Sequence, residues 1–555
     1  MRPLKQVRRR RAARQSRWQR STVRLTLAAL LIAASTAGCG AEHAGLISVT
    51  TADAGAADVA VPSGDSAPSV DAGALPSGSG GSGNNSSSGG SGGTISGGSG
   101  GSGGGNAVDA APPVADAGLV DATPVLDGRA PAPVLPWAGA NAIVANVKPP
   151  VFPAKTCALA DYGGNGDGVT DNTAAFAAAI AACSQAGGGQ VTVPAGTFLT
   201  GAIALLNNVD LHVGAGATLM FSGDETKYPQ VLTRYQGIEL MNRSPMIYAY
   251  NRKSIAVTGP GVLDASQTVS WNKSDADAWT TLVGWGDSGT AVKDRVLPAG
   301  SHLRTSFVMP YQSQDVLIDG ITVTGGPFWQ VHPTLCSNVT LRNLTTSSTN
   351  PEGTAVVIES SNNVVLQSGS FVAGSDCLAL KSGRDSDGRR VNKPTQNVVL
   401  IGARCQAAGG LLAVGSEETG GVQNIFAYDL GTMGSGVDSV LFMKATPTRG
   451  GVVSDLFLDT IKTGSVRGSF FIATLNYIGV TTGDFPPTFG AVTISNVTVD
   501  GAARVLDVQG TDSNLIGPFN ITDAMFTNVT QPTSTVMFTK AVNYTRVTVN
   551  GLPAN

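Results

Sequence analysis

DVLIDGITV at 315–323 is followed by NVTLRNLTT at 338–346 and NVVLQSGSF at 363–371. Each stretch opens on Asp or Asn, runs through two or three β-branched or aliphatic residues and a polar one, and ends on another apolar pair. The pattern returns as NVVLIGARC at 397–405, NIFAYDLGT at 424–432, SDLFLDTIK at 454–462 and VTISNVTVD at 492–500. The starts lie 23, 25, 34, 27, 30 and 38 residues apart. A period of 20–50 residues marks a solenoid or similar array. No helical pattern intervenes, so the expected fold is all-β, a right-handed parallel β-helix. Each coil would bury its Val, Ile and Leu against the next. The drifting period implies constant strands and variable loops. Asn residues recurring at the turns are placed to hydrogen-bond to one another. A propeller would need four strands in each repeat.

Upstream of the repeats, TAAFAAAIAACSQA at 173–186 has apolar residues at helical spacing. Asn172 or Thr173 is placed as its N-cap, and Gly187–Gly189 stop it. It reads as a helix capping the N-terminal end of the solenoid. The folded domain is expected over 138–555. Residues 39–137 read as a tether: 21 of the 71 glycines fall in 41–130, in runs such as SGGSGGSGGG, and such a composition buries too little to offset ordering entropy.

Residues 1–38 read as an export signal. Ten Lys/Arg and no acid lie in 1–24, and LTLAALLIAA at 25–34 is too short for a comfortable membrane span. STAGC at 35–39 matches a lipoprotein box, so Cys39 is the expected lipidation site. The expectation is a bacterial outer-membrane or cell-surface lipoprotein, held to the membrane through that lipid. Beyond residue 24 the chain has 26 basic and 39 acidic residues, a balance of −13. That disfavours a nucleic-acid partner. No Cys/His spacing suggests a metal, no Gly-rich loop suggests a cofactor, and a monomer is expected.

Several stretches are similar to family 28 glycoside hydrolases, the polygalacturonases and their relatives. They include DYGGNGDGVTDNTAAF (161–176), GPGVLDAS (259–266), GPFWQVHPTLCSNVT (326–340), GSDCLALKSGRDSDGRR (374–390) and GSEETGGVQN (415–424). The resemblance covers most of 155–500. It implies a parallel β-helix that cuts pectic polysaccharide by inversion in a groove along one face. Such chemistry needs one carboxylic acid to protonate the leaving oxygen and one carboxylate to activate water.

The resemblance also shows departures. Where the family has Asn-Thr-Asp, the chain reads Asn350-Pro351-Glu352. The Asp-Asp pair reads Ser375-Asp376, and a serine cannot serve as the acid at useful rates. Ala408 replaces a histidine, and Phe442 replaces an arginine that would bind a uronate carboxylate, while Lys444 remains. The resemblance thus implies Asp376 and Glu352 as the surviving catalytic pair, with Glu417 or Glu418 as recruits. Lys444, Lys381, Arg384 and Tyr477 are the candidate substrate-binding residues. The readings left open are a hydrolase with a rearranged site, a surface glycan-binding protein that has lost turnover, and a structural or adhesive β-helix. His332 reads as a structural hydrogen-bonded residue. Arg384, Asp385, Asp387, Arg389 and Arg390 read as a salt-bridged turn. Among the cysteines, Cys157–Cys183 is the preferred disulfide; Cys336, Cys377 and Cys405 leave room for one further pair.

Overall fold

The computed structural model describes residues 133–554. The signal (1–38), Cys39 and nearly all of the tether lie outside them. The folded part begins slightly earlier than expected, since Leu135 is already buried.

The repeats stack in register. Val316 pairs in parallel with Val339, then Val364, Val398, Ile425, Leu456 and Val492. This ladder belongs to a 20-stranded sheet, and a second, 7-stranded parallel sheet forms another face of the same coils. The result is a right-handed parallel β-helix. Side chains alternate along each strand. In Ser337–Ser347, Leu344 and Thr346 point inward while Asn343, Thr345 and Ser347 are exposed. The leading Asn of each repeat does two things. Asn338, Asn363, Asn397 and Asn424 take φ of 55°, 56°, 55° and 57°, a left-handed conformation that Asn tolerates. Three of their amides also donate to the coil before: Asn338 to Asp315, Asn397 to Asn362 at 2.8 Å and Asn424 to Asn397 at 2.5 Å.

The helix Thr173–Gln185 turns Phe176, Ala179, Ile180 and Cys183 into the core of the first coils. Asn172 is its N-cap residue, but its side-chain amide bonds Thr170 and Leu199 carbonyls instead of the helix N-terminus. The preferred cysteine pairing needs correcting, while the further pair expected among Cys336, Cys377 and Cys405 forms and leaves Cys336 free. Cys157 and Cys183 are buried free thiols, and the disulfide joins Cys377 to Cys405. Cys377 and Cys405 lie on neighbouring walls of adjoining coils with Cα atoms 6.1 Å apart, within bridging range. Cys157 and Cys183 meet instead as small buried groups between helix and strand, and burial pushes the Cys183 thiol up to about 12.

Two segments depart from the coil pattern. A strap precedes the first coil: helix Ala138–Asn146 lies on the outside of the large sheet, where Leu135, Ile143 and Trp137 pack on Val399, Phe426 and Phe457. An insertion carries the antiparallel hairpin Gln230–Tyr235/Ile238–Arg243 and the helix Ala276–Ser288. Its Tyr235, Ile238, Leu240 and Leu282 pack on Phe328, Trp329, Val357, Ala379 and Ala413. The last three point outward from the 7-stranded sheet, so the insertion covers part of that face.

Candidate active site

The 7-stranded sheet provides a floor. Its strands Val356–Glu359, Leu378–Lys381, Gly410–Gly415, Ser439–Lys444 and Ser469–Thr474 lie side by side. Turns at their leading ends and loops at their trailing ends enclose a cavity of about 310 Å³. Glu352, Ser375, Asp376, Lys381, Arg384, Lys444 and Tyr477 all line it, so candidates spread over 126 positions of sequence meet at one place. Gln236, Phe328, Trp329, Thr354, Ser416, Arg449 and Ile478 complete the lining with Glu417. Neither Ala408 nor Phe442 lines it; Phe442 packs against the insertion instead.

Asp376 sits at the floor, almost fully buried. Its Oδ2 accepts from Lys444 Nζ at 2.9 Å and its Oδ1 from the Gly410 amide at 2.8 Å. A Cβ at Gly409 would come within 2.5 Å of Oδ1, so the turn next to Ala408 needs glycine to let the carboxylate in. Burial alone would lower the Lys444 pKa, but Asp376 reverses this and holds it above its ordinary value. The Lys444 ammonium also lies over the rings of Phe442, at 4.5 Å, and Tyr477, at 5.6 Å.

A second charged group lies beside the first. Lys381 pairs with Glu417, donates to the Gly415 carbonyl at 2.8 Å and lies 5.2 Å from the Trp329 ring. Burial would raise the Glu417 pKa, yet Lys381, Arg384 and Arg449 together hold it at about 2. Glu418 is the opposite case. It is fully buried, neither oxygen has a hydrogen-bond partner, and burial pushes its pKa well above the usual range. Glu418 does not line the cavity.

The charge-dense stretch is a salt-bridged helix, Asp385–Val391, as its sequence suggests. Asp387 pairs with Arg295 at 2.7 Å and Arg390 at 2.9 Å, and Asp385 pairs with Arg449 at 2.6 Å. Arg384 alone reaches the cavity, its guanidinium 4.7 Å from the Trp279 ring. His332 is structural: fully buried, it bonds Ser306 and Glu359, each at 2.9 Å. Burial holds its pKa below the ordinary value despite Glu359.

The coil pattern and this cavity can be set against known proteins. A family model described as rhamnogalacturonase A/epimerase, pectate lyase-like, matches residues 158–379. The probable polygalacturonase of Vitis vinifera is 27% identical over 336 residues, 58% of this chain and 64% of its own. The exo-poly-alpha-D-galacturonosidase of Dickeya chrysanthemi is 25% identical over 399 residues, 65% of either chain. The chain thus spans just under two thirds of the length of these two relatives. The crystal structure of a hyperthermoactive exopolygalacturonase from Thermotoga maritima is 31% identical with a TM-score of 0.70, covering 74% of this chain and 96% of that one. The chain belongs to glycoside hydrolase family 28. Within this family 28 site, the strand register bears on the expected pair. Val356 pairs with Leu378, and the same offset sets Thr354 over Asp376. Glu352 lies two residues earlier, in the loop, with its carboxylate 2.9 Å from Arg304. Sequence reasoning missed Gln236 and Trp279, which come from the insertion. Phe328 and Trp329 were visible only as part of the quoted GPFWQVHP stretch.

Proposed function

We propose that the protein hydrolyses pectic polysaccharide with inversion, near a chain end, in the cavity above Asp376. The observation that carries this reading is the meeting of Asp376, Lys444 and Tyr477 with Glu352 in one cavity beside the groove floor. Inversion requires a base and an acid about 6.5–9.5 Å apart, with water between them and the sugar. Glu417 is held ionised by three cations and cannot supply a proton. That leaves Asp376 and Glu352 as the pair, and Glu352, the more exposed of the two, would act as the acid only when substrate draws it from Arg304. Lys444 would fix the position of Asp376, and Tyr477 would stack on a sugar ring. Chain-end action is supported by the insertion, which covers part of the groove face, and by the exo-acting names of the Dickeya and Thermotoga relatives.

The test is release of reducing ends from polygalacturonate, methyl-esterified galacturonan and rhamnogalacturonan. Asp376→Asn and Glu352→Gln are each expected to lower the rate by roughly 100-fold or more. A second reading, glycan binding without turnover, is favoured by one observation: both Asp376 oxygens are already engaged and Ser375 stands at the acid position. Oligosaccharide binding with no reducing ends released from any substrate would establish that reading instead. We also propose that Cys39 carries the lipid of a surface lipoprotein. Palmitate labelling that persists in Cys39→Ser would overturn this.

A further inference from the structure

We propose that Tyr477 and Ile478, backed by the Phe442 ring behind Tyr477 and Lys444, form a subsite for an uncharged sugar ring, one that disfavours a free uronate. The proposal rests on the glycan-active reading above and names the substrate class of that site. Phe442 faces outward from the floor between Ala413 and Ile472. Its ring meets Tyr477 edge to face at 6.0 Å. The cation nearest these rings is Lys444. Its ammonium already donates to Asp376 at 2.9 Å and is sheathed by both rings, at 4.5 and 5.6 Å. A carboxylate brought to this wall would meet the charge of Asp376 and the negative faces of two rings, with no unpaired cation to receive it. An apolar sugar face meets none of these penalties.

Ile478 adds an independent observation. It lines the cavity, is 73% exposed and sits at φ 52°, ψ 28°. A β-branched residue rarely takes this conformation, and such strain concentrates at ligand clamps and active sites. Here it holds an apolar side chain at the cavity beside Tyr477. The remaining lining differs. Arg384 has its nearest carboxylate oxygens at 3.3 and 3.6 Å. These contacts are looser than the 2.9 Å of Lys444 to Asp376, so Arg384 is the lining cation freer to meet a uronate. The cavity therefore fits a uronate joined to an uncharged sugar. The uncharged partner has two chemical sources, a methyl-esterified uronate or a neutral sugar such as a 6-deoxyhexose.

Calorimetric titration of the full chain distinguishes them. The probes are free oligogalacturonate, its methyl ester, and an oligomer alternating galacturonate with rhamnose. We expect one or both of the latter to bind roughly three- to tenfold tighter than the free acid, the scale of an aromatic contact. The probe preferred identifies the source. Phe442→Arg should shift the preference toward the free acid. Ile478→Gly and Tyr477→Ala should weaken only the uncharged probes, and they serve as the test if Phe442→Arg does not fold. The proposal is overturned if wild-type protein binds free oligogalacturonate as tightly as the others, or binds none of them. It is also overturned if folded variants leave the ratio unchanged. Failure of the hydrolase reading looks different: no reducing ends appear, while the binding preference remains.

Discussion

At the scale of single residues, the site is dominated by buried charge whose value depends on its partner. Asp376→Asn leaves the Lys444 ammonium buried without a counter-charge. Breaking such a pair from one side costs about 3–5 kcal/mol, so a large fall in melting temperature should accompany loss of turnover. Adding Lys444→Met should recover part of that fall, which thermal melts of the double variant will show. The two adjacent glutamates should respond to pH in opposite ways. Glu417 is held at about 2 in the folded protein against an ordinary 4.5. Its contribution is complete above the ordinary value and is lost as pH falls from there toward 2. Glu417→Gln should therefore flatten the acid limb of stability in that window. Glu418 is shifted upward, so it costs stability as pH rises above its ordinary 4.5. Glu418→Gln should melt higher than wild type at pH 8 and match it near pH 4. Asp376 and Lys444 could be picked from the sequence by resemblance to family motifs rather than by the repeat: Lys444 ends a strand, while Asp376 lies in the turn before one and Tyr477 in a short helical turn after another. The difference between Glu417 and Glu418 could not be picked, because it depends on which side chain reaches Lys381.

At the scale of elements, the repeat was readable because a coil shows the same face every turn. The Val316-to-Val492 ladder is the quoted pattern in three dimensions. The turn Asn residues could be read too, since φ and side-chain laddering favour the same residue. Asn397→Ala should cost about 1–2 kcal/mol, from left-handed strain and lost amide bonds, and Asn397→Gly less; denaturant midpoints will rank them. The disulfide was readable only as one pair among Cys336, Cys377 and Cys405, while the preferred Cys157–Cys183 pairing was wrong. Spacing along the chain says nothing about which two walls approach to 6.1 Å. Cys377 follows Asp376, so the bridge anchors the strand entering the site. It closes a loop of 28 residues, worth about 3–4 kcal/mol by loop entropy. Of the five cysteines beyond Cys39, three should react with a thiol reagent in denaturant and two only after reduction. Reaction of Cys377 or Cys405 without reductant would count against the bridge. The insertion was the least readable element, having no period, and it supplies Gln236 and Trp279.

At the scale of the whole molecule, the acidic balance divides unevenly. Of the 26 basic and 39 acidic residues beyond residue 24, 25 and 30 lie in 133–555. The solenoid is thus only mildly acidic, and the excess belongs to the segment before it. A negative body still repels a polyanion, over a Debye length of about 8–10 Å at physiological salt. KM for polygalacturonate should fall as salt rises toward that range, and KM for a fully esterified substrate should stay level. The strap has a different kind of consequence. It rests on the coils around Phe426 and Phe457 and then returns past Asn338, whose side chain exchanges hydrogen bonds with the Lys148 backbone, before the first coil begins at Thr156. A mechanical load arriving from the N-terminal side is therefore taken up across the flank of the mid-solenoid strands. The terminal coil, which would otherwise unzip turn by turn under tension, is shielded until the strap has been peeled away.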